Sequence, residues 1–215
     1  GQYELINSLY ASYSLRADAS DEFDNAQSFR LGLSYEFTDD AKFFISRGKA
    51  IKNPTFTERF GFFPGTFLGN SSLVPESSYA NEIGLSYALS GHFNIDLTHF
   101  DTKLENEING FVFDPASAGF TAQNINETST RKGLELSLYG DWDDLSWRAS
   151  YAYLDAKAPT EVELRRAQHS GSASVNYAIN GSNNVYFQAD YTGSKLDRFF
   201  PPFPVSPKII GLQAY

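Results

Sequence analysis

Apolar and polar side chains alternate along most of this chain. Between Ser28 and Phe37, residues Phe29, Leu31, Leu33, Tyr35 and Phe37 share one face, and Arg30, Gly32, Ser34 and Glu36 share the other. Successive side chains of a β-strand point to opposite sides, so a period of two predicts a strand with one apolar face. The same period predicts strands over Ser8–Arg16, Ser28–Phe37, Lys42–Lys49, Asn81–Leu89, His92–Lys103, Thr130–Tyr139, Leu145–Leu154, Ala167–Ile179, Asn184–Gly193 and Ile209–Tyr215. A small extra hairpin is expected around Asn109–Thr121. No segment carries a convincing helical period.

The connections alternate as well. Those at Thr38–Asp40, Ser90-Gly91, Asp141–Asp144 and Asn180–Asn183 are short, and Asn180-Gly181 is a hairpin-turn pair. The intervening ones are long: Asp18–Asn25, Ile51–Ser77, the stretch from Lys103 to Asn126, Ala156–Glu163 and Lys195–Lys208. Short turns at one end and long loops at the other are the pattern of an antiparallel up-and-down outer-membrane β-barrel. A soluble sandwich or lectin-like domain also alternates, but has no reason to keep its short turns at one end. Here the apolar face carries Tyr13, Tyr35, Tyr87, Tyr151, Tyr153, Tyr177 and Tyr191, rings with a polar tip that favour a membrane–water boundary. The polar face is small: Gly32, Ser34, Gly84, Ser86, Ser150, Ser172 and Ser174. A closed ten-stranded barrel fills its narrow interior with side chains, so these residues point to one arc of a wider barrel.

Composition agrees with that class. Aromatic residues make up 16% of the 215, while mean hydropathy is only −0.36, so apolar surface is spread over strands. No run approaches the roughly 18 to 20 apolar residues a spanning helix needs; a tilted strand needs about 9 to 11. A net charge of −9 argues against a nucleic-acid partner. There is no cysteine, hence no disulfide framework or thiolate metal site. No signal peptide is visible at Gly1.

No catalytic constellation stands out. His92, His99 and His169 fall on different predicted strands, and Asp39-Asp40 and Asp143-Asp144 sit in turns that Asp supports. The loop with Asp18, Asp21, Glu22 and Asp24 offers oxygen ligands suited to Ca²⁺, but reads first as a solvated loop. No catalytic, metal or cofactor site is therefore assigned.

The third strand and its loop, Phe44-Ile45-Ser46-Arg47-Gly48-Lys49-Ala50-Ile51-Lys52-Asn53-Pro54-Thr55-Phe56, resemble a strand–loop signature of TonB-dependent outer-membrane receptors. Gly69-Asn70-Ser71-Ser72-Leu73-Val74-Pro75-Glu76-Ser77-Ser78 resembles their Gly-Asn-Pro-x-Leu-x-Pro-Glu-x-Ser segment. Glu82-Ile83-Gly84-Leu85 fits the strand that follows, and Arg131-Lys132-Gly133-Leu134-Glu135 is similar to their Lys-Gly-hydrophobic-Glu strand start. Four pieces in the family's order are specific together. Tyr151-Ala152-Tyr153-Leu154-Asp155-Ala156 and Leu164-Arg165-Arg166-Ala167 are most similar to a strand pair of the cobalamin-importing members.

The resemblance implies a barrel of about 22 strands with a plug inside it. The chain shows neither plug nor energy-coupling box, so 1–215 is expected to be a middle-to-late arc of the barrel domain. It implies import of a large scarce nutrient, a corrinoid (cobalamin) or an iron chelate (ferric siderophore). It implies an outer-membrane location in a Gram-negative bacterium, lipid and lipopolysaccharide neighbours, and coupling to the TonB complex through the plug, with no enzyme activity. Arg165 aligns with a cobalamin-contacting Arg of the resembling members, and Arg166 adjoins it. Either the two contact substrate or they form lumen or lipopolysaccharide-facing salt bridges. The loop aromatics Phe60, Phe62, Phe63, Phe67, Phe199, Phe200 and Phe203 are either loop packing or a stacking surface for a large planar ligand. A passive porin or adhesin barrel, and a soluble all-β binding domain, stand as alternatives.

Overall fold

The structure, a computed structural model, describes residues 1–62, 65–90, 92–159, 163–199 and 208–215, without the side chains of Ser90 and Arg198. Its strands are β1 (Gln2–Ile6), β2 (Leu9–Asp18), β3 (Ala26–Thr38), β4 (Ala41–Lys52), β5 (Glu76–Ser90), β6 (Phe93–Glu105), β7 (Ile108–Asp114), β8 (Gly119–Asn124), β9 (Ser129–Trp142), β10 (Leu145–Lys157), β11 (His169–Asn180), β12 (Asn183–Thr192), β13 (Lys195–Phe199) and β14 (Lys208–Leu212). One short helix, α1 (Phe56–Phe60), lies in the β4–β5 loop.

Ten strands form one antiparallel sheet, in the order β1-β2-β3-β4-β5-β6-β9-β10-β11-β12. The expected small hairpin is β7–β8, and β13–β14 is a second separate pair. Nine of the sheet strands match the predicted ones, several running further at their loop ends; β5 starts at Glu76 and not at Asn81. Backbone pairing carries on past the apolar band, for example Lys52 with Glu76.

Three corrections follow. The tenth strand of the sheet is β1, joined to β2 by a short turn in which Ser8 takes φ 65. That turn lacks the Gly or Asn-Gly signal, so only the register reveals it. The segment predicted as a last strand, Ile209–Tyr215, pairs mainly with β13 as β14, and only Tyr215 bonds back to Thr192 of β12. And one helical turn exists where no helical period was expected, because five residues are too short to show a period. It is held by a capping box: Thr55 Oγ1 accepts from the Glu58 N–H, and Glu58 Oε2 accepts from the Thr55 N–H at 2.7 Å.

The short turns Asn7-Ser8, Asp39-Asp40, Asp143-Asp144 and Gly181-Ser182 all lie at one rim, with the β5–β6 turn beside them; Gly91 of that turn is outside the described residues. Four of the five turns bond to the next hairpin. Glu36 N–H donates to Ser8 O, Ala88 to Asp40 O, Asp141 to His92 O and Ala178 to Asp144 O, at 2.8 to 3.2 Å.

Register puts the apolar residues side by side across the sheet. Leu33 faces Ile45, Ile45 faces Ile83, Leu85 faces Leu97, Leu97 faces Leu136, and Leu136 faces Tyr151. This face stays open to its surroundings: Leu15 is 73% exposed and Phe187 65%. An uncovered apolar surface of this breadth is not stable in water and fits a hydrocarbon neighbour. The few fully buried apolar residues described are instead mostly in the loops, at Phe67, Leu73, Ile108 and Ala122.

The opposite face is less empty than its glycines imply. The Phe44 ring lies over Gly84, where an added Cβ would come within 2.3 Å of it. The Phe100 ring lies over Gly133, where an added Cβ would be 2.5 Å from the ring and 2.3 Å from the Tyr153 carbonyl oxygen. Two of the small residues therefore make room for aromatic rings and leave no void.

Candidate functional site: the long-loop rim

Three long loops interlock at the rim opposite the short turns. The β4–β5 loop packs on the β7–β8 hairpin around Phe67, which is 4% exposed and touches Leu73, Ile108, Ala122 and Phe120. Phe62 stacks on Phe67 at 5.0 Å, Phe67 on Phe111 at 5.9 Å, and Phe111 on Phe120 at 4.3 Å. Backbone bonds stitch the two loops: Leu68 N–H donates to Phe120 O at 2.7 Å, and Phe120 N–H to Thr66 O at 2.8 Å. Asn70 Nδ2 donates to Ala122 O, and the Asn124 amide both accepts from Val74 N–H and donates to Val74 O. The β2–β3 loop joins through Arg59 of α1. Its guanidinium bonds Glu22 at 2.8 Å and lies over the rings of Phe23 and Phe60, at 4.9 and 5.1 Å. Glu22, a member of the acidic loop, is thus an ion-pair partner of a neighbouring loop.

A second cluster ties the next loops to the wall. Arg131, at the loop end of β9, bonds both Glu107 and Glu163, the latter at 3.2 Å. Glu163 also accepts from Arg166 Nε at 3.0 Å. Arg165, with φ 62, donates its backbone N–H to Leu196 O and its Nε to Asp197 at 2.8 Å. Both sequence-predicted arginines therefore have carboxylate partners. Arg165 stays 69% exposed along its side chain, so its remaining donors face outward from the pair.

Below the loops, the polar face of the wall holds a cleft of about 310 Å³ lined by Ser14, Arg30, Ser46, Ser78 and Glu82 among others. Glu82 accepts from Arg30 at 2.5 Å and from Ser46 at 2.8 Å. The arrangement can bind polar groups by charge-assisted hydrogen bonds.

Among the predicted aromatics, Phe62 belongs to the interlocked loop pair and Phe199 to the β13–β14 hairpin, where Lys208 Nζ lies 5.9 Å from its ring. Phe60 packs on Phe56 at 4.8 Å, and Phe67 is buried packing. Phe63, Phe200 and Phe203 lie outside the described residues. The described aromatics thus sit in two separate units.

The family model described as TonB dependent receptor-like, beta-barrel matches residues 1–203. The chain belongs to this family. It is 26% identical over 201 residues to the vitamin B12 transporter BtuB of Vibrio vulnificus (strain YJ016), covering 90% of this chain and 32% of that relative. It is 28% identical over 170 residues to the vitamin B12 transporter BtuB of Photobacterium profundum, covering 76% and 27%. The chain thus spans about a third of the length of the curated relatives it matches. Among solved structures, the siderophore receptor PirA from Acinetobacter baumannii superposes on all of this chain and 37% of its own, with TM-score 0.77 and 18% identity. The ferripyoverdine receptor of the outer membrane of Pseudomonas aeruginosa, bound to ferripyoverdine, does so over 100% and 30%, with TM-score 0.72 and 15% identity. At those identities the structures share the fold alone. The relatives are named as transporters and receptors, and none as an enzyme.

For this TonB-dependent receptor barrel, sequence reasoning missed Arg59, Arg131 and Glu163. The Thr55-x-x-Glu58 capping box was a readable signal for the helix that carries Arg59. The Arg131 cluster had none, since its partners are 24 and 32 residues away.

Proposed function

We propose that this segment is one arc of the wall and part of the mouth of an energy-coupled outer-membrane receptor. The receptor binds and imports a large scarce nutrient, a corrinoid or a ferric siderophore. The observation that carries the reading is the interlocked loop unit above a wall whose outward face is apolar, in a chain of this family. The edge strands β1 and β12 pair with further strands of the same barrel, because an open edge in lipid would leave backbone groups unsatisfied. A plug elsewhere in the protein fills the lumen and takes energy from the TonB complex. The short turns face the periplasm and the long loops face outside, with lipid and lipopolysaccharide around the wall.

Arg165, Arg166, Phe62 and Phe199 are the candidate ligand contacts among the described residues, and Phe63, Phe200 and Phe203, which lie outside them, are candidates by sequence. Arginine presents a rigid fork of donors suited to phosphate or amide oxygens. At Arg165 an anionic ligand group competes with Asp197. The test uses the full receptor, titrated with cobalamin and with ferric siderophores, and measures uptake in cells with and without the TonB protein. One ligand should bind and enter only in energised cells. Arg165→Ala should weaken that binding about tenfold, the loss of one charge-assisted hydrogen bond. Uptake that does not depend on TonB would indicate a passive pore and overturn the proposal. An unchanged affinity in Arg165→Ala would remove that residue from the site.

A further inference from the structure

The turn between β11 and β12 carries the sequence Asn180-Gly181, and both residues are exposed. The central residues of the turn are Gly181 and Ser182, so Asn180 is the last residue of β11 and pairs with Asn183. Its side chain folds back over the turn. Oδ1 accepts from the Ser182 N–H at 3.0 Å and from Asn183 Nδ2 at 3.1 Å. A backbone N–H can only donate, which fixes Oδ1 and not Nδ2 at that position. The ring closed by the Ser182 bond contains both the side-chain carbon Cγ and the Gly181 nitrogen, so the two are held near each other. Among the described residues, Asn180 Nδ2 and the Gly181 N–H have no hydrogen-bond partner. A Cβ added at Gly181 would meet nothing within 4 Å, so the approach to its nitrogen is open.

Two other asparagines show what is particular here. Asn109 also precedes a glycine, Gly110, but it lies inside β7, paired with Gln123. Both residues are half-buried, and Asn109 Oδ1 accepts from the Phe111 N–H alone, at 3.3 Å. Asn70 Oδ1 accepts twice, from the Ser72 N–H at 3.0 Å and from Ser72 Oγ at 2.5 Å. Its Nδ2, however, donates to Ala122 O at 2.9 Å, and the residue after it, Ser71, carries a side chain. Of the three, Asn180 joins a doubly held oxygen, a free amide nitrogen and an unhindered neighbour.

We propose that Asn180-Gly181 is a site of spontaneous covalent modification, in which the turn promotes its own deamidation. Hydroxide removes the Gly181 amide proton, and the nitrogen attacks Cγ of Asn180. The carbonyl electron pair moves onto Oδ1, where the Ser182 N–H and Asn183 Nδ2 stabilise the developing negative charge as an oxyanion hole does. The Cγ–Nδ2 bond then breaks, Nδ2 takes a proton from water, and ammonia leaves a cyclic succinimide. Water opens the ring at either carbonyl and gives Asp or isoaspartate, so the sequence consumes water, releases ammonia and needs no oxidant. Because nucleophile and electrophile are neighbours in the chain, holding them together replaces an encounter. Either product adds a negative charge to a rim that already carries Asp143 and Asp144. Isoaspartate also routes the main chain through the side chain, lengthening it by one atom between β11 and β12. That change falls two residues from Ala178, whose N–H donates to Asp144 O at 2.8 Å and ties this hairpin to the one before it.

The test incubates the purified full receptor in heavy-oxygen water at neutral and at mildly alkaline pH. Peptide mass spectrometry, with fragmentation that separates isoaspartate from Asp, follows each asparagine over time. Asn180 should gain a solvent oxygen, faster at the higher pH, and yield both products. It should react about fivefold or more faster than Asn109, which lacks the second donor. Asn183→Ala removes one donor and should slow Asn180 about fivefold. Asn183→Asp, which puts an acceptor in its place, should slow it at least as much and serves if Asn183→Ala does not fold. Gly181→Ala should also slow it by crowding the attacking nitrogen, without strain, because Gly181 does not take a left-handed φ. Deamidation of Asn109 as fast as that of Asn180, an unchanged or faster rate in both Asn183 variants, or Asp with no isoaspartate would overturn the proposal.

Discussion

Replacing Phe67 with Ala should loosen two loops and leave the wall intact. The side chain is 4% exposed and lies between the β4–β5 loop and the β7–β8 hairpin. A phenylalanine buries on the order of 200 Å², which at about 25 cal/mol per Å² gives roughly 5 kcal/mol. Residual burial in the unfolded loop lowers this to roughly 3 to 4.5 kcal/mol, in line with measured Phe→Ala losses of about 3 to 5. That loss falls on a local unit, because the buried cluster around Phe67, made of Leu73, Ile108, Ala122 and Phe120, draws on the two loops and not on the ten-stranded sheet. Hydrogen exchange on the full receptor reads it directly. The amides of Leu68 and Phe120, which cross-bond the two loops, should exchange between roughly 10²- and 10³-fold faster. Amides in β9 and β10 should be unchanged, as should the heat-dependent gel shift of the folded barrel. Phe56→Ala serves as the control, since Phe56 is 76% exposed. A rise of less than tenfold at Leu68 and Phe120, or an equal rise in the wall, would refute an independent loop unit.

Three more outcomes follow from the geometry. Gly84→Ala should lower barrel stability by about 1 to 3 kcal/mol through collision with the Phe44 ring, and Phe44→Ala should partly restore it; Gly133→Ala should resist such rescue because its nearest clash, at 2.3 Å, is with the Tyr153 backbone oxygen, whereas at Gly84 the nearest backbone oxygen, of Leu97, is at 2.9 Å, and denaturant titration of the gel shift distinguishes the two. Arg131→Gln should leave Glu107 and Glu163 without their shared cation and raise exchange at both residues 106–108 and 163–166, by about 1 to 3 kcal/mol of local opening. Arg59→Ala should free the β2–β3 loop more than Glu22→Gln does, because Ala also removes the stacking on Phe23 and Phe60; the exposed ion pair alone is worth about 1 kcal/mol or less, as exchange at residues 19–25 would show.

The wall was legible in the sequence because its physics is local. Alternation over ten residues sets which side chain points out, and the pairs found in the structure, such as Ile45 with Leu33 and Ile83, follow from it. β1 was lost because Gln2–Ile6 is short and its turn uses Ser8 where a glycine signal would be expected. The mouth was only half legible. The aromatic loops and the two arginines stood out by type, but their roles depend on contacts between distant segments. Phe67 meets Phe120, and Arg165 meets Asp197 32 residues later. No periodicity encodes such pairs, so burial of Phe67 and pairing of Arg165 appear only in three dimensions. The helix carrying Arg59 is an intermediate case, unreadable by period and readable by its cap.

The bonds that link four of the five short turns to the hairpin beside them make the wall modular. From Ser8 O to Glu36, Asp40 O to Ala88, His92 O to Asp141 and Asp144 O to Ala178, the same contact recurs at every junction between hairpins. Each hairpin therefore docks on its neighbour by one repeated rule that involves no loop residue of the far rim. A whole hairpin can be inserted or removed without altering the joint used by the others, whereas an odd strand would turn the next one to run the wrong way. The barrel's circumference is thus free to change in steps of two strands. The long loops can diverge while the opposite rim keeps count.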